Sequence, residues 1–347
     1  MKAAVLHEYD PTFGRRDFLS YESVPDPEIE KPTDVIVRIG GAGVCRTDLH
    51  IIEGLWREKI NVQLPYILGH ENAGWVEEVG QDVRSVKVGD AVVCHPLVTA
   101  GHSLEARRGN DMHDGESVFP GVDSNGGYAE HLVTGERALV KLTHDLTPKE
   151  AAPYADAGLT AYRASKKASK HLVPGDFVVV IGAGGLGHIG IQVLKSLCAA
   201  EVIVVDRSEP ALSLAKECGA DHVVIAHGDE VEAVKALTAG SGAHAVIDFV
   251  AEGDTISKGL AMTRNAGSYY LVGYGGKIEI PTMDLVISEK SIISNLVGNY
   301  AELCELMMLA RRKMIKLATK EYRLRDVNVA LHDLHAGRIK GRAVLVP

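Results

Sequence analysis

Two rhythms of apolar and polar residues divide the chain. In the first half, short apolar runs are broken by glycine and by polar turn residues. Asp34–Val44 (DVIVRIGGAGV), Ala73–Val79, Ala91–Val93 and Tyr128–Val133 read as strands. The tract Gln81–Gly89 reads as a turn, and His95–Asn125, polar and without period, as a long surface loop. Near residue 148 the rhythm changes. Thr147-Pro148-Lys149-Glu150 has the residues of a helix start, with Thr as N-cap, Pro at the first helical position and an acid in the first turn.

From there apolar strands alternate with amphipathic helices. Phe177–Ile181, Val202–Val205, Val223–Ile225, Ala245–Phe249 and Tyr269–Val272 are the strands. Gly185–Ala199, Glu209–Cys218, Glu230–Leu237 and Asp254–Met262 are helices. Strands without a polar face alternating with helices predict a doubly wound α/β fold, a parallel sheet covered on both sides. The tail from Ala301 has helical stretches and a last strand, Ala343–Val346, expected to pack back onto the first half.

Composition narrows the function classes. The 347 residues are 46% hydrophobic and 24% charged, with a net charge of −9. That is an ordinary globular composition with room for two cores. No basic block favours nucleic acid. The opening MKAAVLHEYD lacks a signal-peptide apolar core, and glycines interrupt the longest apolar run, so a cytoplasmic protein without a membrane segment is expected. Five scattered cysteines fit reduced thiols or metal ligands better than a disulfide framework.

One motif carries cofactor chemistry. The strand FVVVI runs into Gly182-Ala-Gly184-Gly185-Leu186-Gly187, and a helix follows at once. Glycines there permit a tight turn and let backbone N–H groups approach a pyrophosphate at the helix N-terminus. Asp206 closes the next apolar strand, roughly 20 residues further on, where an acid binds the ribose hydroxyls and repels a 2′-phosphate. NAD is the expected cofactor, with Arg207 softening the preference over NADP. The bland alternative is a glycine-rich turn closing an ordinary βα unit.

Three residues offer zinc chemistry: Cys45 in GVCRTDLH, His70 in GHE and Asp156 in YADAGLT. Thiolate, imidazole and carboxylate with an open fourth position make a catalytic zinc pattern. Their spacing does not itself bring them together. Taken singly, Cys45 also reads as a small buried hydrophobe, His70 as a turn residue and Asp156 as a helix cap.

Gly69-His-Glu-Asn-Ala-Gly74, followed by Val76, Val79-Gly80, Val83 and Gly89-Asp90, resembles the zinc signature of the medium-chain dehydrogenase/reductase superfamily, alcohol dehydrogenase branch. The resemblance extends to the ending GRAVLVP and is closest to bacterial secondary-alcohol dehydrogenases and aryl-ketone reductases, which share Asp-Ala-Gly-Leu-Thr. It implies a GroES-like catalytic domain over residues 1–154 and 298–347 and a Rossmann NAD-binding domain over 155–297.

The resemblance also implies roles. Cys45, His70 and Asp156 bind a catalytic Zn2+, with Asp156 where many relatives have Cys. Glu71 is an alternative fourth ligand or a nearby charge. Asp48 fixes the tautomer of His70. Thr47 receives the alcohol proton, and His50 relays it with the nicotinamide ribose hydroxyl. Arg46 and Arg342 contact the pyrophosphate; Thr160, Val272 and Tyr274 line the nicotinamide; Trp56, Tyr66, Leu296 and Val297 fall where relatives line the substrate cleft. The four-cysteine lobe of a structural zinc is missing. The matching stretch has only Cys94, His95, His102 and His113, so a loop held by packing is expected. The implied activity is hydride transfer between NAD(H) and a primary or secondary alcohol, or its ketone or aldehyde, by a homo-oligomer, dimer or tetramer. A polyol dehydrogenase, a zinc-free quinone or enoyl reductase, and a non-catalytic NAD-fold protein are the competing readings.

Overall fold

The computed structural model describes residues 1–60 and 63–347. They form two compact units, Met1–Leu159 with Gly298–Arg311 and Ala318–Pro347, and Thr160–Val297 with Arg312–Leu317. In chain order the strands are β1 (Lys2–Leu6), β2 (Ser20–Ser23), β3 (Asp34–Val44), β4 (Tyr66–Ile67), β5 (Glu71–Val79), β6 (Ala91–Cys94), β7 (His131–Gly135), β8 (Leu139–Lys141), β9 (Phe177–Ile181), β10 (Glu201–Asp206), β11 (His222–Ile225), β12 (Ala243–Asp248), β13 (Thr263–Leu271), β14 (Ser291–Ser294), β15 (Thr319–Arg323) and β16 (Arg342–Val346).

The first unit is β-rich. Its main sheet runs β15-β16-β3-β5-β6-β8, with β7 paired to the early part of β3, and a smaller sheet runs β2-β1-β4. The C-terminal strand packs back as expected, because β16 pairs antiparallel with the far end of β3. β3 is the spine of this sheet. Val35, Val37, Ile39 and Ala42 fill the core, while Arg38 is exposed and stacks over Trp75 with its guanidinium carbon 4.5 Å from the ring centre.

The second unit holds a six-stranded parallel sheet in the order β11-β10-β9-β12-β13-β14. Alternate residues of β9 face opposite sides. Val178 and Val180 pack with Ile191 and Leu194; Val179 and Ile181 pack with Ile256 and Leu260. Both faces are therefore buried, which is why the strand has no polar position. Each such side chain contributes roughly 1.5–3 kcal/mol of burial. The strand order turns back beside β9. Its carboxyl end and that of β12 flank the switch point where doubly wound sheets bind ligands.

Several boundaries differ from the sequence expectation. The strand expected over Tyr128–Val133 is β7, His131–Gly135; Tyr128 instead trades backbone hydrogen bonds with Leu68 and Ala4. The first helix after the glycines is Gly187–Leu197, because Gly184–Leu186 are spent on the turn. The stretch 95–125 contains a short helix, Leu104–Arg107, capped by Ser103, and a 3-10 turn, Asp111–His113. Both are too short to leave a periodic trace.

Candidate active site

Antiparallel pairing on both sides of β3 assembles the first site. Gly43 lies opposite Glu71 of β5 and Val344 of β16. The end of β3, the start of β5 and the start of β16 thus converge, bringing Cys45, His70-Glu71 and Arg342 together. Gly43 must lack a side chain: a Cβ there would lie 1.9 Å from Glu71 Oε2. Asp156 arrives from the turn before the helix Ala157–Ser169.

Ligand atoms of Cys45, His70, Glu71 and Asp156 all lie within 4.8 Å of one another, and all four residues are buried. Among the described residues no other His, Cys, Asp or Glu group of this kind occurs. One sulfur, one imidazole and two carboxylates form a donor set suited to zinc. The buried surroundings are rich in acids. Burial opposes a charge on His70, yet the Asp48 and Asp156 carboxylates outweigh it and hold the ring well above the usual imidazole range. A site that pulls a proton onto a wholly buried histidine is one that a cation suits.

Glu71 differs from the other three. Arg342 grips it at both oxygens: Nε donates to Oε2 at 3.0 Å and the second nitrogen donates to Oε1. The backbone N–H of Ala157 also donates to Oε1, at 3.0 Å. Burial nevertheless pushes the Glu71 carboxyl up, against the pull of Arg342. Arg342, only 4% exposed, is held charged by Cys45 and Glu71 despite its burial.

Behind the candidate ligands lies Asp48. Cys45 is the N-cap of the helix Arg46–Glu53, so its sulfur lies at the positive end of the helix. In the first turn Asp48 reaches back and accepts the Cys45 N–H through Oδ2 at 2.7 Å. Its Oδ1 is 3.3 Å from His70 Nδ1, while His70 Nε2 faces Asp156 Oδ2 at 3.5 Å. Tyr128, to which nothing in the sequence assigned a role, donates its hydroxyl to Asp48 Oδ2 at 2.6 Å. Its only sequence signal is an aromatic residue after two glycines, which also describes a core residue.

Thr47 and His50 lie three residues apart on the helix Arg46–Glu53, and hence on one face. Thr47 is half-buried, His50 buried and Arg46 exposed. Trp56 packs against the core of this unit, and Tyr66 is 3% exposed with its hydroxyl buried. In the second unit Leu296 is half-exposed and Val297 buried.

The lobe expected to lack a second zinc is tied down by protein contacts. Both ring nitrogens of buried His95 face carbonyl oxygens, those of Leu97 and Gly298, each at 2.9 Å. Burial pushes the Cys94 thiol up to about 12. His102 and His113 are exposed.

The second unit carries the glycine turn at the end of β9. Gly182 takes a left-handed φ of +88°, which a side chain strains. A Cβ on Gly187 would lie 1.8 Å from the Gly182 carbonyl oxygen, so the helix approaches the turn only without one. Gly184 is the opposite case: a Cβ there meets nothing within 4 Å. It is the exposed position of the turn at this helix N-terminus, with Gly185 and Leu186 completing the turn. Asp206, at the end of β10, accepts the Ala183 N–H at 2.7 Å and the Ser208 N–H at 2.8 Å. Arg207 is exposed beside it. Thr160 accepts from Asn295 through its carbonyl at 3.4 Å; Val272 donates its N–H to Asp248, and Tyr274 is 39% exposed.

Known proteins agree with this geometry. Residues 31–144 match the alcohol dehydrogenase GroES-like domain and residues 185–312 the zinc-binding dehydrogenase family. The chain is 37% identical to an NAD-dependent alcohol dehydrogenase of Sulfurisphaera tokodaii, over 95% of this chain and 96% of that protein. It is 36% identical to a D-arabinose 1-dehydrogenase (NADP(+)) of Saccharolobus solfataricus, over 100% and 97%. The crystal structure of the alcohol dehydrogenase from Aeropyrum pernix superposes with a TM-score of 0.96 at 45% identity, each chain covered to 100%. The chain belongs to the zinc-dependent alcohol dehydrogenases of the medium-chain dehydrogenase/reductase superfamily.

Proposed function

We propose that this NAD-dependent alcohol dehydrogenase holds one catalytic zinc per chain through Cys45, His70 and Asp156 and acts on secondary alcohols and their ketones. The convergence of four buried ligand atoms within 4.8 Å carries the reading. When bound, zinc supplies Lewis acidity toward the substrate oxygen, and NAD(H) accepts or supplies the hydride. The protein's own groups bind, orient and move a proton. Thr47 takes the alcohol proton at Oγ1, since a hydroxyl both accepts and donates. His50, on the same helix face, passes it on, because an imidazole changes charge near neutral pH.

Asp48 keeps His70 turned toward the cluster, and Glu71 with Arg342 balances charge behind it rather than serving as the resting ligand. The engagement of both Glu71 oxygens supports that choice. The glycine turn Gly182–Gly187 takes the pyrophosphate. Asp206 takes the ribose hydroxyls and sets the preference for NAD over NADP. Among the described residues no helix is long and apolar enough to cross a membrane. A cytoplasmic location and a homo-oligomeric state belong to the proposal and follow from the family resemblance.

A second reading, oxidation of a polyol or aldose, is favoured by the similarity to the D-arabinose 1-dehydrogenase. Metal analysis combined with NADH absorbance assays over aliphatic alcohols, aryl ketones, polyols and aldoses, with NAD and NADP, decides between them. One zinc per chain and turnover of simple secondary alcohols support the first reading. Turnover of sugars alone establishes the second, and zinc-independent turnover overturns both.

A further inference from the structure

We propose that Tyr128 is a positioning residue for the metal centre: its hydroxyl locks the Asp48 carboxylate so that one oxygen is left to select the ring tautomer of His70. The inference rests on the assignment of Cys45, His70 and Asp156 as zinc ligands.

The argument starts from Asp48 Oδ2. Two donors converge on this one oxygen, the Tyr128 hydroxyl at 2.6 Å and the Cys45 N–H at 2.7 Å. Both Asp48 and Tyr128 are 0% exposed, so water does not compete. An O–H···O⁻ contact of this length is in the charge-assisted range, about twice as strong as a neutral one. The hydroxyl has a second acceptor in reach, the Gly43 carbonyl, but at 3.3 Å. The shorter contact wins, so the phenol serves the carboxylate.

With Oδ2 engaged twice, the carboxylate plane is fixed and Oδ1 is the oxygen that faces His70 Nδ1, at 3.3 Å. The two atoms are in ion-pair contact rather than a formed hydrogen bond, and a carboxylate at that distance favours a proton on Nδ1. The lone pair of the neutral ring is then on Nε2, the nitrogen on the Asp156 side of the cluster. Without the Tyr128 hydroxyl, Asp48 retains only the Cys45 N–H on Oδ2 and is free to turn about its side-chain bonds.

The ring itself is clamped. A Cβ on Gly69 would lie 2.3 Å from Tyr128 Cδ1, so the residue before His70 is hollowed out to admit the tyrosine. The Tyr128 N–H donates to the Leu68 carbonyl at 2.9 Å, and its own carbonyl accepts from Ala4 at 2.8 Å. The hydroxyl is therefore delivered to Asp48 from a backbone tied on both sides. Burial, reinforced by Asp48, keeps the phenol well above its ordinary range, hence protonated and able to donate.

Tyr128→Phe keeps the ring that fills the space at Gly69 and removes only the O–H. The test measures zinc transfer from the zinc-loaded protein to a chelating dye for wild type, Y128F, D48N and the double variant. The visible bands of the cobalt(II)-loaded forms are recorded alongside. We expect Y128F to release zinc about 10–100-fold faster, the range for groups that orient a ligand. D48N should lose at least as much, and the double variant should lose no more than D48N within about twofold. The cobalt bands should shift in Y128F, which a purely structural bond would not cause. Thermal melting of the zinc-free proteins separates loss of fold from loss of ligand orientation. Wild-type zinc release and unshifted bands in Y128F overturn the role of Tyr128, as does a full multiplicative loss in the double variant. A wild-type protein that binds no zinc overturns the ligand assignment instead.

Discussion

Arg342 and Glu71, 271 residues apart in sequence, form a buried two-point ion pair at the edge of the candidate zinc site. Their side chains are 4% and 0% exposed. Removing one partner leaves the other charge buried and unpaired, which costs about 3–5 kcal/mol. Arg342→Leu should therefore lower the urea unfolding midpoint strongly. Glu71→Gln with Arg342→Leu, which removes both charges, should recover part of the loss.

The ligand set predicts how substitutions at Asp156 divide. Asp156→Ala removes a donor atom and should empty the site of zinc and abolish turnover. Asp156→Cys replaces the carboxylate by another zinc ligand and should keep most of the metal. Metal content per chain, measured after dialysis, checks both. Equal zinc in D156A and wild type would falsify the ligand assignment.

Two glycines of the same turn should fail in different ways. Gly184→Ala points a methyl into open space, so the protein should melt like wild type. That space is where a pyrophosphate is proposed to bind, so the KM for NAD should rise at least tenfold. Gly187→Ala drives a methyl against the Gly182 carbonyl oxygen and should destabilise the second unit by about 1–3 kcal/mol, whatever its effect on NAD. Calorimetry beside NAD titration separates the two.

Asp333, far from this chemistry, predicts a pH effect. The Tyr322 hydroxyl at 2.6 Å and the Lys320 ammonium at 2.9 Å, joined by Arg338, hold its carboxyl well below the usual carboxylate range. A carboxyl depressed in the folded state contributes its full stability above its unfolded value of about 3.9. That contribution declines as pH falls below it and is gone below the folded value. Asp333→Asn should cost roughly 1 kcal/mol at neutral pH. The gap to wild type should close as unfolding is followed from pH 5 downward.

What was legible in the sequence follows from the range of the interactions. β9 and the helix Glu230–Leu237 have the predicted bounds, because local apolar pattern and flanking turn residues set them. The Thr147–Glu150 capping box is likewise local: the Glu150 carboxylate accepts the Thr147 N–H at 2.9 Å. β7 begins later than its apolar run suggested. Tyr128 and Ala129 are buried by partners far away in sequence rather than by the β3 ladder. The ligand types at 45, 70 and 156 were readable, but their spacing did not show their convergence, which only the family resemblance implied, since it depends on strand pairing over long separations. The same holds for Arg342 with Glu71 and for Tyr128 with Asp48. Each pair joins residues whose meeting leaves no local pattern.

The β3–β5 ladder has a further consequence. Its register shifts twice, between Ile36 and Val37 and between Ile39 and Gly41. The first leaves an extra residue, Glu77, on β5, and the second an extra residue, Gly40, on β3. The two offsets cancel like a stitch dropped and picked up again, and Gly43 still meets Glu71 as the undisturbed pairing of Val35 with Val79 would dictate. Were Gly40 drawn into the ladder opposite Ala73, the first offset would go uncorrected and Ala42 would fall opposite Glu71. A residue with a side chain would then stand where only Gly43 fits, so the alignment of the candidate zinc ligands depends on Gly40 staying outside the ladder several residues away.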